Sequence, residues 1–248
     1  MLEPESAAKE AFAVARSANI KRTDFMFTVP SLIAVVRIVL LAAVLTAASA
    51  PAFPEEPKSR QEALAQLAGA DSTARMETIV WFANHGTMAD AGLLEKRLRA
   101  EDEGVRAYAE RGLWAIWSRS GDPDIDRLMA RGVEEMQQGN NKAAIATFSE
   151  VVKRKPDFAE GWNKRATVYY VVGDYPRSIA DCDQVLKRNP RHFGTLSGLG
   201  QIYYRMDNYE MSIEWFRKAL EVNPNMGGVE LNLKALEAMQ RERNGKSI

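Results

Sequence analysis

The chain has 248 residues, 46% of them hydrophobic and 27% charged, with 33 basic side chains balanced by 33 acidic ones. That apolar content suits one or two folded domains and excludes a disordered chain. A formal net charge of zero argues against nucleic acid or a polybasic membrane contact as the main business.

The amino-terminal part reads as an address. Residues 38–50, IVLLAAVLTAASA, are uncharged and mostly apolar, with Arg37 before them and a proline-rich run after. A charged flank, a short apolar stretch and the small residues Ala48, Ser49 and Ala50 describe an export signal. The stretch falls short of the roughly 20 residues a spanning helix needs. Extending it back to Val29 lengthens it but places Arg37 in mid-span, which is costly. Residues 26–52 are therefore expected to be a signal peptide for export to the periplasm. The alternative is an inner-membrane anchor over residues 29–50. Residues 1–25 are an extra leading segment; either translation starts at Met26 or residues 7–17 form a short amphipathic helix.

A proline-rich tether at 53–58 leads into a helical block at 59–120. Residues 62–67 predict a short helix, and Met76, Ile79, Val80 and Ala83 give helical spacing over 73–84. A third helix is expected over 89–100, and a fourth through Ala109, Leu113 and Ile116. The string from Asp102 and Arg106 to Ile116 resembles a HEAT-type repeat over one to one and a half units. That resemblance implies a hydrogen bond from Arg106 to Asp102 in the turn. Gly121, Asp122 and Pro123 end the block. Both halves of the chain being helix-pair stacks, they are expected to join into one curved solenoid with little linker.

Pro156, Pro190 and Pro224 then recur at a fixed spacing of 34 residues. Around them fall Trp162, Ala166 and Tyr169, then Leu196, Gly200, Tyr203, Phe216 and Ala219, and more weakly Leu128, Gly132, Ala144 and Phe148. Residues 125–224 therefore resemble tetratricopeptide repeats, as three units at 125–158, 159–192 and 193–226. The resemblance implies an all-α, right-handed solenoid of helix-turn-helix units that binds other proteins.

Physically, Gly132, Ala166 and Gly200 let two helices approach closely, and each proline stops one unit before the next. No unit buries its apolar face alone, so a cap is required. Residues 227–244 supply it, with Leu231, Leu236 and Met239 expected on the inner side. Cys182, the only cysteine, takes the place of Phe148 and Phe216 and reads as a small buried hydrophobe.

No constellation for catalysis, cofactor or metal stands out. His85 and His192 are far apart and lack ligands at useful spacing, so both read as structural or surface residues. Gly194, Gly198 and Gly200 fall inside a repeat helix, not in a strand–loop–helix phosphate cradle. Close packing accounts for Gly200; Gly194 and Gly198 are left without a reason other than room for a ligand. Asp181 and Asp183 read as a solvated face. The chain is read as a non-enzyme.

Function then rests on a groove lined by the first helix of each unit. One step round from the packing face lie Met129, Val133 and Met136, then Asn163, Thr167 and Tyr170, then Ser197, Gln201 and Tyr204. Tyr169 and Tyr203 are assigned to packing. Some tetratricopeptide proteins clamp a chaperone's terminal carboxylate; here those positions hold Met129, Val133, Lys164, Gly194 and Gly198, only one of them basic. The expectation is a protein-interaction adaptor of the bacterial cell envelope, binding a partner peptide or helix. The alternative is a membrane-anchored structural subunit of an envelope complex.

Overall fold

Many of the helix starts in this chain are set by short polar side chains that accept a free backbone N–H, among them Ser59, Asp71, Asp102, Asp122, Asp174 and Asn208. The computed structural model describes residues 57–69 and 71–245. Among them are eleven α-helices and one 3-10 turn, with no strand. The readings of residues 1–56, including the start, the signal or anchor and most of the tether, lie outside the described residues. The chain divides into two compact units, residues 54–238 and residues 1–53 with 239–248. Of the latter, the described part is the end of the last helix.

The first four helices are α1 (Arg60–Ala68), α2 (Ser72–His85), α3 (Ala91–Arg97) and α4 (Glu103–Trp117). Ser59, Asp71 and Asp102 cap α1, α2 and α4 by accepting from Glu62, Thr73 and Val105 N–H. Leu67, Ile79, Phe82, Leu94, Leu98, Val105, Leu113 and Ile116 form their buried interior. The helix expected over 89–100 is split. A reciprocal box between Thr87 and Asp90 closes a 3-10 turn at Met88–Asp90, and α3 follows it. Arg106 does not hydrogen-bond Asp102. It donates to the carbonyls of Ala100 and Glu101, at 2.9 and 2.7 Å, while Asp102 takes the Val105 N–H at 2.9 Å. The capping demand of α4 outcompetes the guanidinium for that carboxylate.

Three helix pairs follow: α5 (Pro123–Gln137) with α6 (Asn141–Arg154), α7 (Ala159–Val171) with α8 (Tyr175–Arg188), and α9 (Phe193–Arg205) with α10 (Tyr209–Val222). Each turn puts one residue in the left-handed region: Gly139, Gly173 and Asp207, at φ +74, +80 and +57°. In the second turn Gly173 N–H reaches Tyr170 O at 3.1 Å and Asp174 N–H reaches Tyr169 O at 2.9 Å, satisfying two terminal carbonyls. Gly132 and Gly200 lie against aromatic rings, as close packing demands. A Cβ on them would come within 2.6 Å of Phe148 and 2.5 Å of Phe216. The middle pair reaches a different solution, with Ala166 and Cys182 in one core cluster.

Asp181 departs from the solvated face expected for it. It is 4% exposed and takes two hydrogen bonds from Arg165, at 2.7 and 2.8 Å. The last helix, α11 (Gly227–Gly245), buries Val229 and Leu236, whereas Leu231 is 70% exposed and turned away from the core. Helical phase decides this: Leu236 lies seven residues from Val229 and shares its face, and Leu231 does not.

The helical block does not simply extend the stack from its first unit. Its long-range polar contacts go to the junctions before α9 and α11. Glu95 pairs with Arg191, Arg99 donates to the Glu221 carbonyl, Asn223 donates to Glu110 at 3.0 Å, and Asn225 donates to the Leu98 carbonyl at 2.7 Å. These side chains are far apart in sequence, so no local pattern announces the docking.

Candidate functional site

The inner helices α5, α7 and α9 carry the nine groove residues, and the structure gives them unequal surroundings. Met129 is 7% exposed and sits in the core cluster with Ile125, Phe148 and Val168, while Val133 and Met136 pack against that cluster and stay partly exposed. Thr167 and Ser197 are buried, each turning its hydroxyl back to its own helix, at 3.0 Å to the Asn163 and Gly194 carbonyls. Asn163 joins a polar network. Gln201 and Tyr204 are partly exposed.

The tyrosines form two matching pairs. Tyr170 lies 6.0 Å from Tyr175 with planes at 44°, and Tyr204 lies 5.9 Å from Tyr209 at 43°. In each, the end of an inner helix meets the start of its outer helix. Arg205 donates to the Tyr170 hydroxyl at 3.3 Å, and Tyr170 also packs on the cluster of Ala166, Cys182, Leu199 and Ile202. Tyr169 is buried, with Arg165 and Arg177 over its ring; Tyr203 is partly buried against the same cluster as Tyr170. Val171, Val172 and Met206 add exposed apolar surface at these helix ends.

At the other end of the inner helices lies a buried polar network that sequence reasoning missed. Glu160, in the first turn of α7, is fully buried. Lys164 Nζ stands 3.1 Å from one of its oxygens; Asn163 Nδ2, at 3.1 Å, and His192 Nε2, at 3.2 Å, meet the other. Burial pushes the Glu160 carboxyl up, but the Lys164 charge and the His192 hydrogen bond outweigh it and hold the group at about 2. His192 Nδ1 accepts the Thr195 N–H at 3.0 Å and so caps α9, which leaves Nε2 as the donor toward Glu160. Thr195 completes the network by donating to Asn163 Oδ1 at 3.0 Å.

Trp114 and Trp117 of α4 cover this network. Trp117 stacks on His192 with centroids 4.5 Å apart and planes at 29°. Trp114 meets His192 and Phe193 edge-on at 5.2 and 5.5 Å. This accounts for Gly194, since a Cβ there would lie 2.9 Å from Trp114 Cζ2. The available signal was a glycine inside a helix together with two tryptophans three residues apart elsewhere.

Family models described as tetratricopeptide repeat match residues 129–183 and 195–226. A TPR repeat-containing protein of Rhizobium etli is 38% identical over 63 residues, covering 25% of this chain and 31% of that protein. The match thus spans about a third of that relative's length. Among solved structures, the first TPR domain of Spaghetti (RPAP3), bound to an HSP90 peptide, is 18% identical over 47% of this chain and 93% of that one, with a TM-score of 0.46. A tetratricopeptide repeat protein from Parabacteroides merdae is 22% identical over 68% of this chain and 61% of that one, with a TM-score of 0.44. The period, the paired helices and the matched family models agree: residues 129–183 and 195–226 of this chain are tetratricopeptide repeats.

Proposed function

We propose that this protein is a non-enzymatic interaction adaptor of the bacterial cell envelope, holding a partner peptide or helix against the inner helices of its repeats. The observation that carries the reading is the duplicated aromatic pair, Tyr170 with Tyr175 and Tyr204 with Tyr209, one repeat apart and flanked by exposed Val172 and Met206. Aromatic side chains presented in register on a rigid scaffold are suited to anchor an apolar partner segment. Gln201, partly exposed on the same helix as Tyr204, supplies an amide group for its backbone.

The test is affinity capture from envelope extracts with the full chain and with Tyr204→Ala, alongside thermal melts of both. A partner retained by the parent and reduced about ten-fold by Tyr204→Ala, at unchanged melting midpoint, supports the groove. Equal retention by both overturns it.

Export through residues 26–52 belongs to the same proposal, and its support is the apolar run 38–50 behind Arg37. The extended run 29–50 favours a second reading, a subunit anchored in the inner membrane as part of a larger complex. Fractionation separates the two. A chain starting near residues 49–53 that washes off membranes supports the adaptor, and full-length chain recovered only with membranes supports the anchored subunit.

A further inference from the structure

The two tyrosine pairs repeat in shape as well as in sequence. Tyr170 and Tyr204 lie at the ends of α7 and α9, Tyr175 and Tyr209 open α8 and α10, and the pairs are 34 residues apart. Their ring centroids stand 6.0 and 5.9 Å apart and their planes meet at 44 and 43°. Rings tilted in this way do not stack face to face, and all four are partly exposed, so each pair forms an angled aromatic recess at the turn of its repeat. Val172 extends the apolar rim of the first recess and Met206 that of the second, at 47 and 45% exposure. The first repeat carries Met136 and Asn141 at these positions and so lacks the aromatic pair.

The interval between the recesses follows from the packing of α7 on α9. Asn163 takes a hydrogen bond from Thr195, Glu160 from His192, and Tyr170 from Arg205, so the two helices are direct neighbours. Helices in direct contact stand about 10 Å apart. A segment of polyproline II form has three residues per turn, which returns every third side chain to one face at about 9 Å. A β-strand returns same-face side chains at about 7 Å and falls out of step. An α-helix covers the interval in about seven residues, but its carbonyls are taken by its own hydrogen bonds. The recesses offer donors to a backbone whose carbonyls are open. Gln201 is partly exposed about one turn before Tyr204, and the Tyr170 hydroxyl accepts from Arg205 at 3.3 Å, which leaves its hydrogen to donate. Polyproline II, with no internal hydrogen bonds, presents such carbonyls.

We infer that the recesses of Tyr170 with Tyr175 and of Tyr204 with Tyr209 take two prolines, three residues apart, from a polyproline II segment of the partner. This rests on the reading of the repeats as a protein-binding scaffold and names the chemistry of the segment bound. Each pyrrolidine ring lies against the tyrosine faces of one recess, and the residues between the prolines point away from the helices. Gln201 and the Tyr170 hydroxyl donate to the carbonyls of the segment. A proline-rich segment is already extended before it binds, so little conformational freedom is lost on docking to an aromatic-lined surface.

The probe is a short dye-labelled peptide with proline at every third position and serine or glutamine between, followed by fluorescence anisotropy against the full chain. A second peptide of the same composition carries its prolines at every fourth position. The full chain is expected to bind the first about ten-fold more tightly than the second. Tyr175→Leu/Tyr209→Leu keeps apolar bulk at the outer wall of each recess and removes its aromatic face. That variant is expected to bind the first peptide about ten-fold more weakly than the parent, at unchanged melting midpoint. If it fails to fold, Val172→Ser/Met206→Ser alters only the exposed rim and is expected to weaken the first peptide about three-fold. Equal binding of the two peptides, binding of neither, or full binding by whichever variant folds overturns the inference. A partner captured from envelope extracts by the parent and lost by Tyr204→Ala, with no binding of the proline peptide, overturns this inference and leaves the adaptor reading standing. Proline-peptide binding with no captured partner leaves the recesses standing and overturns the adaptor reading instead.

Discussion

Arg165 grips Asp181 with two nitrogens, at 2.7 and 2.8 Å, and turns a third toward Ser149 at 3.1 Å, so one guanidinium ties together α6, α7 and α8. The carboxylate is almost wholly buried, which lets the pair act in a medium that screens it poorly. The Asp181 hydrogen bonds hold the Arg165 guanidinium above its ordinary range. Removing Asp181 leaves a cation without its partner. Asp181→Ala is expected to cost about 3–5 kcal/mol in urea unfolding. The double variant Arg165→Met/Asp181→Ala should lose less than the two single losses added together. Additive losses would show that the two groups do not act as a pair.

The small-residue positions make a second prediction. Gly132→Ala and Gly200→Ala push a methyl into the Phe148 and Phe216 rings and should each cost about 1–3 kcal/mol. In the middle repeat Cys182 leaves space that Ala166 uses. Cys182→Phe alone should overpack this pair, and Cys182→Phe/Ala166→Gly should recover much of the loss, copying the neighbouring repeats. Thermal melts of the single and double variants check it; no recovery in the double variant refutes the complementarity.

Acid should loosen the network under α4. The Glu160 carboxyl is lower in the folded chain than when unfolded, so its contribution is full above the unfolded value near 4.5 and is lost as pH falls toward about 2. Glu160→Gln is expected to lower stability near neutral pH and to flatten the fall across that acid window. Urea midpoints between pH 2 and pH 7 measure both effects, and an unchanged acid slope in the variant would remove Glu160 from the account.

Burial, with Asp181 and Asp183 nearby, pushes the Cys182 thiol up to about 12. The folded protein should therefore leave a thiol reagent such as an aromatic disulfide unreacted at pH 8, and the urea-unfolded chain should react completely. Labelling of the folded chain at the rate of a free thiol would contradict its burial.

What the sequence determined by itself is what depends on neighbours along the chain. The repeat period, the polar turns, and the small residue facing a ring all lie within one unit, and their spacing shows in the letters. The apolar phase of α11 was local too, yet Leu231 was misplaced, because several residues on that helix could face inward and only the neighbouring pair selects Val229 and Leu236. Tertiary structure alone decided the rest. Asp181 reads as a surface charge until Arg165 is seen across the helix pair. Gly194 reads as an unexplained gap until Trp114 arrives from a helix about eighty residues earlier in the chain. The same holds for Glu160, whose burial depends on Lys164, His192 and the tryptophan cover together. Such contacts join segments with no shared periodicity, and burial and charge compensation exist only once those segments meet.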